Sequence, residues 1–314
     1  MGQTVIEIMM AITSVIVPVV VSARVKVNKT NKYKLNKISE YDGKLIVNSE
    51  YLNGVIKNIS SYNSKIIDEE KKILLPFIEE ISKSIKEEDL KTMYNNISTV
   101  KISKEKVLPI FSFDAGCYYY KENEINYTEK NAIGHEFLHL SSSIYDKDND
   151  IILLGFEQIK DDFSIGTGLN EGYTELLASR FYRNGIIDSY KNEASLASLL
   201  EMFFDKKEDM YHLYFNSNLP GLITYLEKYI DREEIIKMII EIDNISYTTD
   251  KLLLGTAYTR FIKLELKLYD YFKKNFKDQK KINEFKKIIS KEKIISLLLN
   301  NEIKVQKNNR NYKI

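Results

Sequence analysis

Hydrophobic residues recur at helical spacing over most of the second half of this chain. Leu196, Leu199, Leu200, Phe203 and Phe204 form one stripe, and Ile235, Ile236, Met238, Ile239 and Ile240 mark another. Between them, Pro220 is placed to start a helix running through Ile223 and Leu226. Lys251–Phe276 reads as one long helix, and Gln306–Ile314 as a polar tail that frays. Upstream, Ile133, Phe137, Leu140 and Ile144 repeat at the same spacing. Their stripe lies nearly opposite an arc holding Ala132, Ser142 and Ser143, so this helix should bury one side and offer the other to a cleft. Thr128 is a plausible N-cap for it, with Glu129 in the first turn.

The stretch before that helix alternates instead. Val100 and Ile102 give Ser98–Lys104 a strand period, and Phe111-Ser112-Phe113 and Cys117–Tyr120 are rich in aromatic and strand-forming residues. Lys121–Glu124 then turns the chain into Ile125-Asn126-Tyr127. Tyr41–Leu90 reads as helices, with Ile73, Leu74, Phe77, Ile78 and Ile81 on one face and Pro76 able to kink or divide them. The expected fold class is therefore α+β and mostly helical. Residues 1–24 form a hydrophobic N-terminal segment, 25–97 a basic linker and helical region, 98–189 a mixed core with a small sheet, and 190–314 a helical C-terminal lobe.

Candidate chemistry falls inside the mixed core. His135-Glu136-Phe137-Leu138-His139 is an H-E-x-x-H motif, and it uses two of the three histidines in the chain. On a helix, positions i and i+4 point the same way, so two imidazoles can grip one zinc ion. Glu136, one residue along, can take a proton from water at the metal. A catalytic zinc site wants three protein ligands and an open position. Leu169–Glu175, LNEGYTE, supplies acidic candidates for the third. Gly166-Thr167-Gly168 approaches this second helix, Thr167 or Asn170 could cap it, and Asn184-Gly185 reads as its stop. Glu171 and Glu175 share a face and repel unless a cation or hydrogen bond offsets them. A metal beside Glu171, with Glu175 bonded to the outer nitrogen of a ligand histidine, does both. Spacing alone leaves open an exchange of these two roles.

HEFLH followed by NEGYTE resembles the gluzincin metallopeptidases, whose pattern is H-E-x-x-H and then a helix beginning N-E-x-x-[ST]-[DE]. The resemblance covers roughly Ile102 to Tyr182, and LNEGYTE is also similar to small bacterial zincin-like proteins. It implies a zincin-like core in which His135, His139 and Glu171 hold zinc. Glu136 is then the general base, and Glu175 orients a ligand histidine, with Asn170 beside it. It implies a small sheet whose edge strand, near Tyr118–Tyr120 or Phe113, pairs with extended peptide. Its substrate would be a peptide or protein, held in a cleft above a helical lobe. The stretch from His139 to Glu171 is longer than in compact gluzincins, which implies an inserted loop around Asp146–Gly168. An oxyanion donor besides the metal is expected, with Tyr173, His212 and Tyr258 as candidates. With 22 tyrosines in the chain, packing competes with catalysis for each one.

Composition adds limits. A chain of 314 residues, 44% hydrophobic, can bury a sizeable core. Lys+Arg 46 against Asp+Glu 45 leaves a formal charge of +1, which gives no overall field for nucleic acid. Cys117 is alone, so no intrachain disulfide forms; it reads as a buried strand residue. Ile8–Ala23 carries no charge, and residues 4–23 contain only Glu7, about enough to span a bilayer at the short end. The run then meets Arg24, Lys26, Lys29, Lys32, Lys34 and Lys37. A membrane anchor, an uncleaved signal and a buried strand all fit. The basic flank favours a cytoplasmic catalytic domain, whereas the family resemblance favours an external one. Gly2–Met9 also resembles the processing site of type IV prepilins, without the usual basic leader. Three classes follow: a membrane-anchored zinc metallopeptidase, a catalytically silent zincin-fold binding or regulatory protein, and a pilin-like structural subunit. A secreted or cytoplasmic location remains the alternative to the membrane.

Overall fold

Among the described residues, short alternating segments and longer helical stripes form two small sheets set among helices. The structure is a computed structural model that describes residues 77–289, apart from 79, 105–114, 162, 251–252 and the side chains at 249–250. The expected anchor at 4–23, the strand at 111–113, the stripe positions 73–76 and the tail at 306–314 lie outside the described residues. Among the described residues no helix is long and apolar enough to cross a membrane.

The first sheet holds β1 (Lys101–Lys104), β2 (Gly116–Tyr119) and β3 (Glu124–Tyr127). β3 lies between the others, with β1 parallel and β2 antiparallel to it. Ile102, Tyr118, Ile125 and Tyr127 are the buried positions of the alternation. Helix α1 (Lys91–Ile97) precedes this sheet, and α2 (Ile133–Ser141) follows it.

Helix α2 differs from its sequence reading in two ways. Thr128 does not cap it: its hydroxyl and amide both donate to the Ala115 carbonyl, at 3.1 and 2.8 Å. The helix instead enters through a 3-10 turn at Lys130–Ala132. It also stops at Ser141, so Ser143 and Ile144 belong to the next strand, and Ser142 is buried with its hydroxyl on the Leu138 carbonyl. Every residue of α2 is buried, its polar face included. Asn96 of α1 ties its end to the next strand, with Nδ2 donating to Leu140 O of the helix and Ser143 O of the strand at 2.8 and 2.7 Å.

The expected loop at Asp146–Gly168 is a four-stranded antiparallel meander. Its strands are β4 (Ser143–Asp146), β5 (Ile151–Leu154), β6 (Glu157–Lys160) and β7 (Phe163–Ile165), in that spatial order. β5 is buried at all four positions, which is why it shows no alternation in sequence. Asp146 Oδ1 receives the Asp148 and Asn149 amides to turn β4 into β5. Gly155, at φ 54°, turns β5 into β6.

Helix α3 (Thr167–Phe181) is central and buried on most of its circumference. Neither Thr167 nor Asn170 caps it. The cap comes from α7 (Arg232–Asp250), whose Asp243 accepts the Gly166 and Gly168 amides, both at 2.9 Å. A Cβ at Gly168 would stand 2.7 Å from the Ile242 carbonyl, so the two helices touch backbone to backbone. Further helices include α4 (Lys191–Glu201), α5 (Lys207–Phe215), α6 (Leu219–Leu226) and α8 (Leu254–Asn275). Pro220 lies in the first turn of α6, where Asn218 caps by accepting the Gly221 amide at 2.8 Å. One buried cluster runs from Ile78 to Phe285 and crosses the division expected at residue 189. The chain is thus α+β and mostly helical, with small sheets.

Asp243→Ala should remove the cap of α3 and lower stability by about 1–2 kcal/mol. Urea unfolding checks this; an unchanged midpoint would mean that α3 starts without Asp243.

Candidate metal centre

Two buried helices place the candidate ligands. The i, i+4 spacing on α2 sets His135 and His139 side by side, with Nε2 atoms 3.1 Å apart. Helix α3 brings Glu171 Oε2 to 3.1 Å from His135 Nε2 and 3.4 Å from His139 Nε2. Ligand bonds of 2.0–2.1 Å to a tetrahedral cation put the donor atoms about 3.3–3.4 Å apart. The three atoms therefore form one face of such a site, and His135, His139 and Glu171 could hold a metal ion. Two imidazoles and one carboxylate are also a donor set that suits zinc-like cations.

Further groups hold the ligands in place. Glu175 is fully buried, and its Oε2 accepts from His135 Nδ1 at 3.0 Å, which turns Nε2 toward Glu171. Glu175 is itself held by Arg183 Nη1 at 2.6 Å and by the Asp188 amide at 2.7 Å, both on Oε1, and by the Ser189 hydroxyl on Oε2. Asn170 Nδ2 lies 3.3 Å from His139 Nδ1, while its Oδ1 accepts the Phe156 amide. A Cβ at Gly155 would come within 2.3 Å of that Oδ1, so the β5–β6 turn reaches Asn170 only because residue 155 is glycine.

The electrostatics follow from these contacts. Burial works against charge on His135, but its hydrogen bonds to Glu171 and Glu175 outweigh burial and carry its pKa up to about 10. Glu175 is pulled down to about 2: burial opposes this, and the bond to His135 prevails with help from the Asp188 amide and Arg183. Burial likewise opposes charge on Glu171, yet the two histidines hold it well below the usual carboxylate range.

The centre opens into a cleft of about 860 Å³. Its walls include β2, the ligand face of α2, Leu154, Glu157 and Ile159 of the meander, Arg183, and the 188–193 segment that enters α4. Glu136 lines this cleft beside the ligands. A Cβ at Gly116 would stand 2.9 Å from Glu136 Cγ and 3.2 Å from its Oε1, so β2 packs directly on this carboxylate. Cys117 is half-buried and lines the cleft rather than the core. Tyr190 lines it too, stacked over His135 with ring centroids 5.9 Å apart and with φ at 46°.

The structure does not bring the three oxyanion candidates to this cleft. Tyr173 is fully buried in a cluster with Phe156 and Tyr214, and its hydroxyl donates to Glu201 at 3.0 Å. Burial pushes its pKa well above the ordinary tyrosine value. His212, on α5, bonds through Nδ1 to Asp89 Oδ1 at 2.6 Å; with Glu88 these form a second group of potential ligand atoms, partly exposed. Tyr258 sits on α8 against Phe261. Arg183, Asp188, Gly116 and Glu157 escaped the sequence reading because no local spacing ties them to either motif.

No protein family profile, curated protein or solved structure matches this chain.

With His135 holding its extra proton up to about pH 10, a cation at Nε2 must displace that proton at lower pH. Metal affinity should therefore rise about tenfold per pH unit between pH 6 and 9. Competition titrations with a chelator of known affinity check this. A flat profile would mean that the cation does not use His135.

Proposed function

We propose that this chain is a zinc metallopeptidase with a zincin-like core of the gluzincin type. The observation that carries the reading is the convergence of His135, His139 and Glu171 on one point, beside Glu136, at the floor of a cleft. Such a cleft takes an extended stretch of peptide or protein, with β2 along one wall. When bound, zinc supplies Lewis acidity, lowering the pKa of water to about 7 and polarising a carbonyl oxygen.

The remaining chemistry belongs to the chain. Glu136 accepts a proton from the attacking water and delivers it to the leaving amine. Gly116 of β2 packs against its side chain, which limits the carboxylate's freedom to move along the cleft. Glu175 keeps the His135 proton on Nδ1 and the Nε2 lone pair toward the cation. Arg183 neutralises Glu175, which lets a buried carboxylate stay charged at that place. A silent binding protein has no use for a confined carboxylate beside the ligands, and a pilin-like subunit has none for the cleft. We keep membrane attachment through residues 4–23 as part of the proposal, with peptide as partner and no role for nucleic acid.

Glu136→Gln should keep zinc and lose hydrolysis of a broad peptide library, because an amide cannot take the proton. Gly116→Ala should likewise keep zinc while lowering the rate. Glu171→Gln should cost more zinc affinity than Glu175→Gln, whose loss should fall within about 10–100-fold. Full hydrolysis by Glu136→Gln would reject the base assignment, and the reverse order of zinc affinities would exchange the two glutamates.

On fractionation, the full chain should sediment with membranes and resist salt, since an inserted apolar helix is held by burial rather than charge. Its release by high salt would argue against an anchor.

A further inference from the structure

Glu157 is a cleft carboxylate that hydrolysis leaves without a task. It stands on β6, is only 6% exposed, and lines the same cleft as His139 and Glu171. Its Oε1 accepts from Ser164 Oγ and Thr167 Oγ1, each at 2.6 Å, so two neutral hydroxyls fix it in place. No lysine or arginine among the described residues forms an ion pair with it. Arg183, the arginine of the cleft, is committed to Glu175 and Asp188.

This arrangement is costly if the residue is only structural. Burial raises the pKa of Glu157, and the charge of Glu171 adds to the rise against the two hydroxyl bonds. A glutamine would accept both hydroxyls without that penalty. What the carboxylate adds is attraction for a cation: His139 offsets its charge only as the smallest influence, and Lys191, which lines the same cleft, forms no ion pair with it. Tyr120 lines the cleft near enough to feel the charge of Glu157, and an aromatic ring also favours cations.

We infer that Glu157 forms a subsite for a primary ammonium group of the substrate, either a peptide's amino terminus or a lysine side chain. The metallopeptidase reading supplies only the choice of a peptide as the ligand; the subsite itself stands on Glu157 and its cleft. Occupied, it would fix which peptides enter and how far they extend past the metal centre.

The test is binding to the full-length Glu136→Gln chain, purified with its metal, so that no ligand is consumed. The probes are tetra-alanine, its N-acetyl form, and an N-acetyl form with one alanine replaced by lysine. The free-amino peptide, the lysine peptide or both should bind about tenfold or more tightly than the acetylated alanine peptide. Which of them does so identifies the source of the ammonium. Adding Glu157→Gln should erase this preference while leaving metal content and the affinity of the acetylated alanine peptide within about threefold. Equal binding of all three probes, or a preference that survives Glu157→Gln, would overturn the inference. Should that variant fail to fold, Thr167→Val keeps the charge and removes one anchor. It must then weaken the preference severalfold, and an unchanged preference overturns the inference. A preference that depends on Glu157 in a parent chain that hydrolyses no peptide would reject the peptidase reading and leave the subsite standing.

Discussion

The structure turns on four ionisable groups brought together between α2 and α3, three of them buried and Glu171 partly so. His135, His139, Glu171 and Glu175 meet there, and buried charge is tolerated only when paired and hydrogen-bonded. That condition fixes how the two helices must lie. Asp243 sets where α3 begins, and the backbone contact at Gly168 sets how near it comes to α7. Asn96 closes the far end of α2, and the β5–β6 turn reaches in to hold Asn170. Each is a contact between distant parts of the chain that removes freedom from the ligand helices.

Four glutamates in and around the cleft show how surroundings assign roles to one side-chain type. Glu171 faces both imidazoles and is held charged. Glu175 lies behind His135, clamped by Arg183 and backbone amides, with no freedom to meet a substrate. Glu136 is confined against β2 at the cleft wall. Glu157 is anchored by two hydroxyls, and burial disfavours its charge. Glu136, Glu157 and Glu175 are buried and Glu171 partly so, and the partners decide what each can do.

What the sequence made legible follows from the range of the forces involved. Spacing within α2 and α3 is local, so the paired histidines and the shared face of Glu171 and Glu175 could be read from four-residue offsets. The C-terminal stripes at Leu196–Phe204 and Ile235–Ile240 and the start at Pro220 were equally local. The start of α2 was misread because Thr128 spends its hydroxyl on Ala115, a partner across the sheet. The meander was misread as a loop because its central strand is buried throughout and lacks alternation. Tyr173 looked available as a proton donor only because Glu201, which receives its hydroxyl, stands on another helix. Arg183, Asp243 and Glu157 act through pairings longer than one helical turn or strand period and carry no local signature.

The central claim is that one metal ion binds His135, His139 and Glu171, and X-ray absorption at the zinc edge tests it most directly. The measurement needs the full chain purified without added metal. The account predicts about one zinc per chain, with two imidazole nitrogens near 2.0–2.1 Å and carboxylate oxygen near 2.0–2.2 Å. A folded chain without metal, or a zinc shell without two imidazoles, would contradict it.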